Sequence, residues 1–444
     1  MGVEKNEKIG FSWLQAAARQ GESEAFYDLG GCYEEGRGSD KNMKKAEKQY
    51  KEAAERGHIE ASFKLARLYS SKDEGLRNDI EAVRWAKKAA QQNNSDALAL
   101  LGIMHAEGRA SVAREDEAEA VKWCQVAAQQ DHAIAQFKLA EMYGMGRGGL
   151  PKSETEAAKW CKKAALQRCL PAQYILGGLY SEGRGVNRNE EKAIRWCRAA
   201  AKGGHVQAQG VLGLMYLNGR EGLQKNEREA KKWFEKAALQ GDAIAQNNLA
   251  MIYKTGIGGL QKNKQEAKKW FKKSAQQAYP EAQFNLAELY ESMGKLEKAV
   301  KLYEKLGQQG HPVAGDKLAM MYRTGKGGLP KSETEALKLY IQAAQQGHPL
   351  AQFKLATMYE TGSSELQKNE TEARLWYEKA AWQGHPGAQF KLAEMYEIGS
   401  GGLQKSETKA RIWYEKAAQH GYPGAQAKLA ENEKAKGIDK PLLH

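Results

Sequence analysis

Residues 176–204 read LGGLYSEGRGVNRNEEKAIRWCRAAAKGG, and two helical patterns lie side by side in this stretch. Ala172, Leu176 and Tyr180 recur at four-residue steps and so share one helix face. Ala193, Trp196 and Ala200 do the same at steps of three and four. Gly183-Arg184-Gly185 between them marks the stop of the first helix. Both patterns recur along the chain. The first, Ala-x-x-x-Leu-(Gly/Ala)-x-x-Tyr, supplies Tyr33, Tyr69, Tyr143, Tyr180, Tyr216, Tyr253, Tyr290, Tyr322, Tyr359 and Tyr396, with His105 and Glu433 in the same column. The second supplies Trp13, Gln49, Trp85, Trp123, Trp160, Trp196, Trp233, Trp270, Leu302, Leu339, Trp376 and Trp413, spaced 32 to 38 residues apart. GGLPKSETEA stands unchanged at 148–157 and 327–336. Twelve copies at one period are the signature of a repeat architecture.

The punctuation agrees with the period. Ser153-x-x-Glu156, Asn226-x-x-Glu229, Asn263-x-x-Glu266, Ser332-x-x-Glu335 and Asn369-x-x-Glu372 read as capping boxes for the second helix. Pro280, Pro312, Pro349, Pro386 and Pro423 fall where the first turn of the next helix begins. No strand pattern survives, so the fold is expected to be all-α. A lone second-type helix near 10–20 should open it and a first-type helix near 424–435 should close it, with the polar tails 1–8 and 436–444 as caps. One repeat, near 290–310, has only nine steps from Tyr290 to Ala299 where others take 13 to 15, which predicts a tighter turn and a local change of pitch.

The pattern Leu-Gly-x-x-Tyr-x-x-Gly-x-Gly, followed by Ala-x-x-Trp-x-x-x-Ala, resembles the Sel-1-like repeat family, relatives of the tetratricopeptide repeat. The resemblance covers roughly residues 10–435. It implies a right-handed superhelical solenoid of about twelve antiparallel helix pairs, here forming a single domain over 1–444. It also implies an adaptor for protein complexes rather than an enzyme. Some members carry a disulfide in each repeat and are associated with beta-lactam hydrolysis. This chain lacks one cysteine pair per repeat, so that activity is not expected.

Composition bounds the remaining classes. The 444 residues are 41% hydrophobic and 28% charged, with a mean hydropathy of -0.72, too polar for several large spherical cores. Ten Trp and 19 Tyr are too many for a disordered chain. No run approaches 18 apolar residues, which excludes a transmembrane helix. The start MGVEKNEKIG lacks the apolar core of a secretory signal, and five unpaired-looking cysteines fit a reducing, cytoplasmic setting. The net charge of +13 is local: residues 151–350 carry +14 and the remainder -1.

Little in the sequence suggests catalysis. His58, His132, His205, His311, His348 and His385 form one loop column, read here as following a helix C-terminus, and repeat too far apart to chelate a metal. Cys124, Cys161 and Cys197 share a packing column with Phe234, Phe271, Tyr303, Tyr340, Tyr377 and Tyr414. No catalytic residue, cofactor or metal is expected. The stronger candidate is a groove lined by the first helices. The position two after each leading Ala holds Tyr27, Phe63, Phe137, Tyr174, Phe284, Phe353 and Phe390, with Ala99, Gly210, Asn247, Asp316 and Ala427 between them. These aromatics either take a partner protein or peptide in the concave groove or pack on the neighbouring repeat. A second candidate is a basic stripe on the second helices: Lys159, Lys162, Lys163, Arg195, Arg198, Lys231, Lys232, Lys268, Lys269, Lys272 and Lys273. It suits an acidic protein, an anionic lipid or, less well for want of interleaved exposed aromatics, nucleic acid. The expected function is a protein-interaction scaffold, with the anionic-partner binder as alternative.

Overall fold

The structure, a computed structural model, describes residues 6–71, 75–109, 116–362 and 366–435. Among these there are 24 α-helices of 12 to 14 residues, one short 3-10 turn and no strand. The first helices run α1 (Glu7–Arg19), α2 (Ser23–Glu35), α3 (Met43–Glu55), α4 (Ile59–Ser70), α5 (Asp79–Ala90) and α6 (Ser95–Ala106). Then come α7 (Asp116–Gln129), α8 (Ala133–Met145), α9 (Glu154–Leu166), α10 (Leu170–Glu182), α11 (Glu190–Lys202) and α12 (Val206–Asn218). The next six are α13 (Glu227–Leu239), α14 (Ala243–Thr255), α15 (Lys264–Gln276), α16 (Pro280–Ser292), α17 (Leu296–Gln308) and α18 (Pro312–Thr324). The chain closes with α19 (Glu333–Gln345), α20 (Pro349–Thr361), α21 (Glu370–Trp382), α22 (Pro386–Ile398), α23 (Glu407–Gln419) and α24 (Pro423–Ala435). Even-numbered helices carry the Leu/Tyr motif and are called A; odd-numbered helices carry the Trp motif and are called B. As expected, a B helix opens the series and an A helix closes it. The tails 1–5 and 436–444 lie outside the described residues, as does the side chain of Glu433.

The chain divides into two compact units, Met1–Ala237 and Ala238–His444, with the boundary inside α13. In each unit helices pack on their sequence neighbours, A helices such as α2, α6 and α10 in unit 1 and α14, α20 and α22 in unit 2 against the B helix that follows. The residue after the Trp of a B helix packs with the leading Ala and the Leu of the A helix that follows: Cys161 with Ala172 and Leu176, and Cys197 with Ala208 and Leu212. Small residues admit the large ones: a Cβ on Gly30 would collide with the Tyr50 ring, and one on Gly213 would fall 2.7 Å from Phe234.

Burial varies along the Trp column, with Trp85, Trp233, Trp270 and Trp413 buried. Trp270 is 7% exposed, but Trp123, Trp160, Trp196 and Trp376 are half-buried and Trp13 is 72% exposed. Where a Lys stands three residues on, it covers the ring: Lys163 lies 4.3 Å from the Trp160 centroid, Lys236 4.4 Å from Trp233 and Lys379 3.8 Å from Trp376.

Helix ends account for most of the fixed loop geometry. Ser153, Asn226, Asn263, Ser332 and Asn369 each accept the N–H three residues on, at 3.0–3.2 Å. The return half of the capping box is replaced. The cap's own N–H donates to the Tyr-column carbonyl of the preceding A helix, in ten repeats, at 2.7–3.0 Å. Two groups that helix ends leave unpaired thus satisfy each other. The short repeat keeps this bond from Lys295 to Tyr290 (2.9 Å) while its turn shrinks to Met293–Lys295.

A buried glutamine column joins adjacent repeats. Gln136, Gln173, Gln209, Gln246, Gln283, Gln352 and Gln389 follow the leading Ala of their A helices. Each donates Nε2 to a carbonyl near the end of the preceding B helix at 3.0–3.2 Å. Gln136, Gln246 and Gln352 also accept from Gln167, Gln277 and Gln383, the C-caps of the B helices that follow. In unit 1 a second tie is ionic. Arg109, Arg147, Arg184 and Arg220, in the loops after A helices, reach Asp79, Glu117, Glu154 and Glu190 of the repeat before. Gly185 must follow Arg184 because its φ is +64° and a Cβ there would overlap the Glu154 carbonyl.

Candidate partner-binding surface

Within unit 1, α4 touches α6 and α6 touches α8; within unit 2, α18 touches α20. Successive A helices therefore approach one another on one side of each stack. Tyr27, Phe63, Phe137 and Tyr174 in unit 1, and Phe284, Phe353 and Phe390 in unit 2, are all half-buried along these helices.

The rings are not free-standing. Tyr27, Phe284, Phe353 and Phe390 lie 5.3–5.9 Å from Tyr50, Tyr303, Tyr377 and Tyr414 of their own B helices. Their other neighbour belongs to the next repeat. Tyr27 stacks on His58 at 4.5 Å, Tyr174 on His205 at 5.0 Å, Phe284 on His311 at 5.2 Å and Phe353 on His385 at 4.6 Å. Packing between repeats and a partly open edge thus coexist in one side chain.

The histidine column is a capping column, which corrects the expectation of a helix C-terminus. His58, His132, His205, His311 and His385 are the N-caps of the following A helices, and each Nδ1 accepts a backbone N–H at 3.1–3.3 Å. Only three residues separate the helices, so the end of one is close to the beginning of the next. An accepting Nδ1 requires the neutral ring with its proton on Nε2. In His58 and His132 Nε2 faces Glu24 and Asp96 at 3.1 Å. Burial pulls His205, His348 and His385 below the ordinary histidine value.

Charged side chains alternate beside the rings. Glu34 accepts from the Tyr50 hydroxyl, from Lys64 at 3.1 Å and from Arg67 at 2.6 Å. Burial works to raise its carboxyl, but the Tyr50 and Lys64 hydrogen bonds hold it below the ordinary value. Glu360 repeats the arrangement with Tyr377 (2.7 Å) and Lys391 (3.3 Å), and Glu397 with Tyr414 (2.7 Å) and Lys428 (3.9 Å). Asp316 takes a ring position and is 5% exposed, its charge met by Lys354 at 2.6 Å.

The basic residues stand on the B helices of both units. Lys159, Lys162, Lys163, Arg195, Lys232, Lys269, Lys272 and Lys273 are exposed, and Arg198, Lys231 and Lys268 half-buried. Several are engaged: Lys159 with Glu156, Lys231 with Glu235, Lys232 with Glu229 and Lys269 with Glu266, while Lys163 and Lys273 cover Trp rings. Lys162, Arg195, Lys268 and Lys272 have no ion-pair partner among the described residues. Burial pushes the thiols of Cys124 and Cys161 up to about 12 and that of Cys197 up to about 11, away from the thiolate form.

No helix among the described residues is long and apolar enough to cross a membrane. No curated protein sequence shows significant similarity to the chain. Among solved structures, the chain is similar to c5321, a protective antigen of uropathogenic Escherichia coli strains that displays an SLR fold. The two share 30% identity over 97% of this chain and 91% of that one, with a TM-score of 0.77. A Sel1 repeat protein from Oxalobacter formigenes shares 27% identity over 78% of this chain and 89% of its own, with a TM-score of 0.42. The Sel1 repeat matches twelve stretches: 1–22, 23–58, 59–94, 95–132, 133–169, 170–205, 206–242, 243–279, 280–311, 316–348, 349–385 and 386–422. With its A and B helices alternating from α1 to α24, the chain belongs to the Sel1 repeat family of α-solenoids.

Proposed function

We propose that the protein is a non-enzymatic scaffold or adaptor that holds a partner protein or peptide on the A-helix face, in a reducing, cytoplasmic setting. Sel1 repeat proteins generally mediate protein–protein interaction. The observation that carries the reading here is the half-buried aromatic column, with a Lys–Glu pair beside Tyr27, Phe353 and Phe390. A ring fixed by a His on one side and a Tyr on the other loses little freedom on binding, which favours its use as an anchor. The flanking charges would set register and association rate. Affinity capture, followed by binding assays on Phe137→Ala plus Phe353→Ala, tests the assignment.

A second reading is favoured by Lys162, Arg195, Lys268 and Lys272, which carry charge without an ion-pair partner among the described residues. An acidic protein or anionic lipid on the B helices would bind with steep salt dependence, lost on charge reversal there.

A further inference from the structure

Three of the B helices place Cys where others place Tyr, and in one of them the exchange leaves room. Leu-Gly-Gly occurs at 29–31 on α2 and again at 176–178 on α10, and the following B helices put Tyr50 and Cys197 at the same offset. In the first of these repeats the Tyr50 ring rises directly over Gly30. Its hydroxyl comes within 3.8 Å of where a Gly31 Cβ would stand and bonds Glu34, and its ring is 5.8 Å from Tyr27. The corresponding residues on α10 are Gly177, Gly178, Ser181 and Tyr174. They line a cleft of about 330 Å³ with Cys197 as its floor.

The chain fills this place from within elsewhere. Tyr50, Tyr303, Tyr340, Tyr377 and Tyr414 are each fully buried there. The far wall has changed in step: Val211 on α12 stands where Lys64 pairs with Glu34, and Met215 lies beside it. Ser181 replaces the glutamate and is held by Arg220 at 2.9 Å, so a hydroxyl entering the cleft meets Ser181 Oγ and a guanidinium. A Cβ on Gly178 would meet nothing within 4 Å, so the mouth is open.

We propose that the cleft between α10 and α12 takes up the aromatic ring of a tyrosine side chain from a partner polypeptide, in the place that Tyr50 fills in its own repeat. The proposal rests on the reading of the A-helix face as the binding surface and names what one position of it receives. The ring would lie between Tyr174 and Met215 over Cys197, with its hydroxyl toward Ser181 and Arg220.

The test uses the full chain with methyl-labelled methionine and N-acetyl-tyrosinamide as probe, with N-acetyl-leucinamide as comparison. The expected result is a saturable shift of the Met215 methyl signal, at least threefold weaker in apparent affinity with the leucine probe. Cys197→Phe should abolish it, since Phe234 fills the same place over Gly213 one repeat later. Gly178→Glu, copying Glu141 and Glu288 at that position, closes the mouth without touching the floor and decides the matter if Cys197→Phe misfolds. No saturable shift, equal response to both probes, or a shift undiminished in both variants would overturn the proposal. Any of these leaves the Phe137 and Phe353 assay of the groove standing, because those residues lie in other repeats.

Discussion

The Ser153 backbone N–H donates to the Tyr143 carbonyl at 2.9 Å, tying the first residue of a B helix's cap to the last turn of the A helix before it. Meanwhile the Ser153 hydroxyl accepts from Glu156 N–H at 3.2 Å. Because Tyr143 supplies the reciprocal bond, Glu156 is free to pair with Lys159 instead. Ser153→Ala and Asn263→Ala should each cost about 1 kcal/mol in urea unfolding. Ser153→Ala and Glu156→Ala should combine additively within roughly 0.3 kcal/mol. A strong coupling between them would mean that the side-chain capping box operates after all.

That exchange shows where sequence reading stops. The period, the helix pairs, the Ser/Asn caps and the Pro starts are side-chain patterns and were legible. The partner of the Ser153 N–H is a backbone carbonyl, which any residue could offer, so composition carries no trace of it. A histidine between two helices three residues apart sits beside both ends, and nothing in its identity says which one it caps. The Ala-Gln pair stands at this position in eight repeats, from 135–136 to 425–426, but a polar Gln reads as surface until its carbonyl partner is seen. The aromatic column was legible as a column. Its half-burial depends on His58, His205, His311 and His385 one repeat away, a contact set by the stacking.

The capping histidines predict acid sensitivity. A buried ring that accepts at Nδ1 is neutral in the folded state, so the unfolded chain binds more protons below the unfolded value of about 6.5. The contribution of His205 and His385 is therefore full above that pH and is lost as the pH falls below it toward their depressed folded values. His385→Asp, copying the natural cap Asp242, keeps an acceptor but does not titrate in this range. It should reduce the drop in thermal midpoint between pH 7 and pH 5 by roughly 2–4 °C. An unchanged drop would remove His385 from the account.

The arginine ties of unit 1 should differ in weight. Arg109 is largely buried and donates to both Asp79 and the Ser70 carbonyl at 2.6 Å, so Arg109→Ala should cost about 2 kcal/mol. Arg184 is solvent-exposed in its pair with Glu154, and Arg184→Ala should change denaturation little. Equal effects would show that exposure does not govern these ties.

If the groove reading holds, the basic stripe acts on rate rather than on residence. Charge reversal at Lys162, Lys268 and Lys272 should slow association with a captured partner at low salt and leave its dissociation rate unchanged in surface-binding kinetics. Loss of binding altogether would favour the anionic-partner reading.

The central claim is that ring edges on the A helices hold the partner. It is tested most directly by the equilibrium affinity of a partner captured from the native host, measured for the unaltered chain and for Phe137→Ala plus Phe353→Ala. Circular dichroism confirms that the helices persist, and Phe137→Leu plus Phe353→Leu serves as a milder control. The account predicts at least a tenfold loss of affinity for the Ala pair at unchanged helicity. The same affinity in the altered and unaltered chains would contradict it.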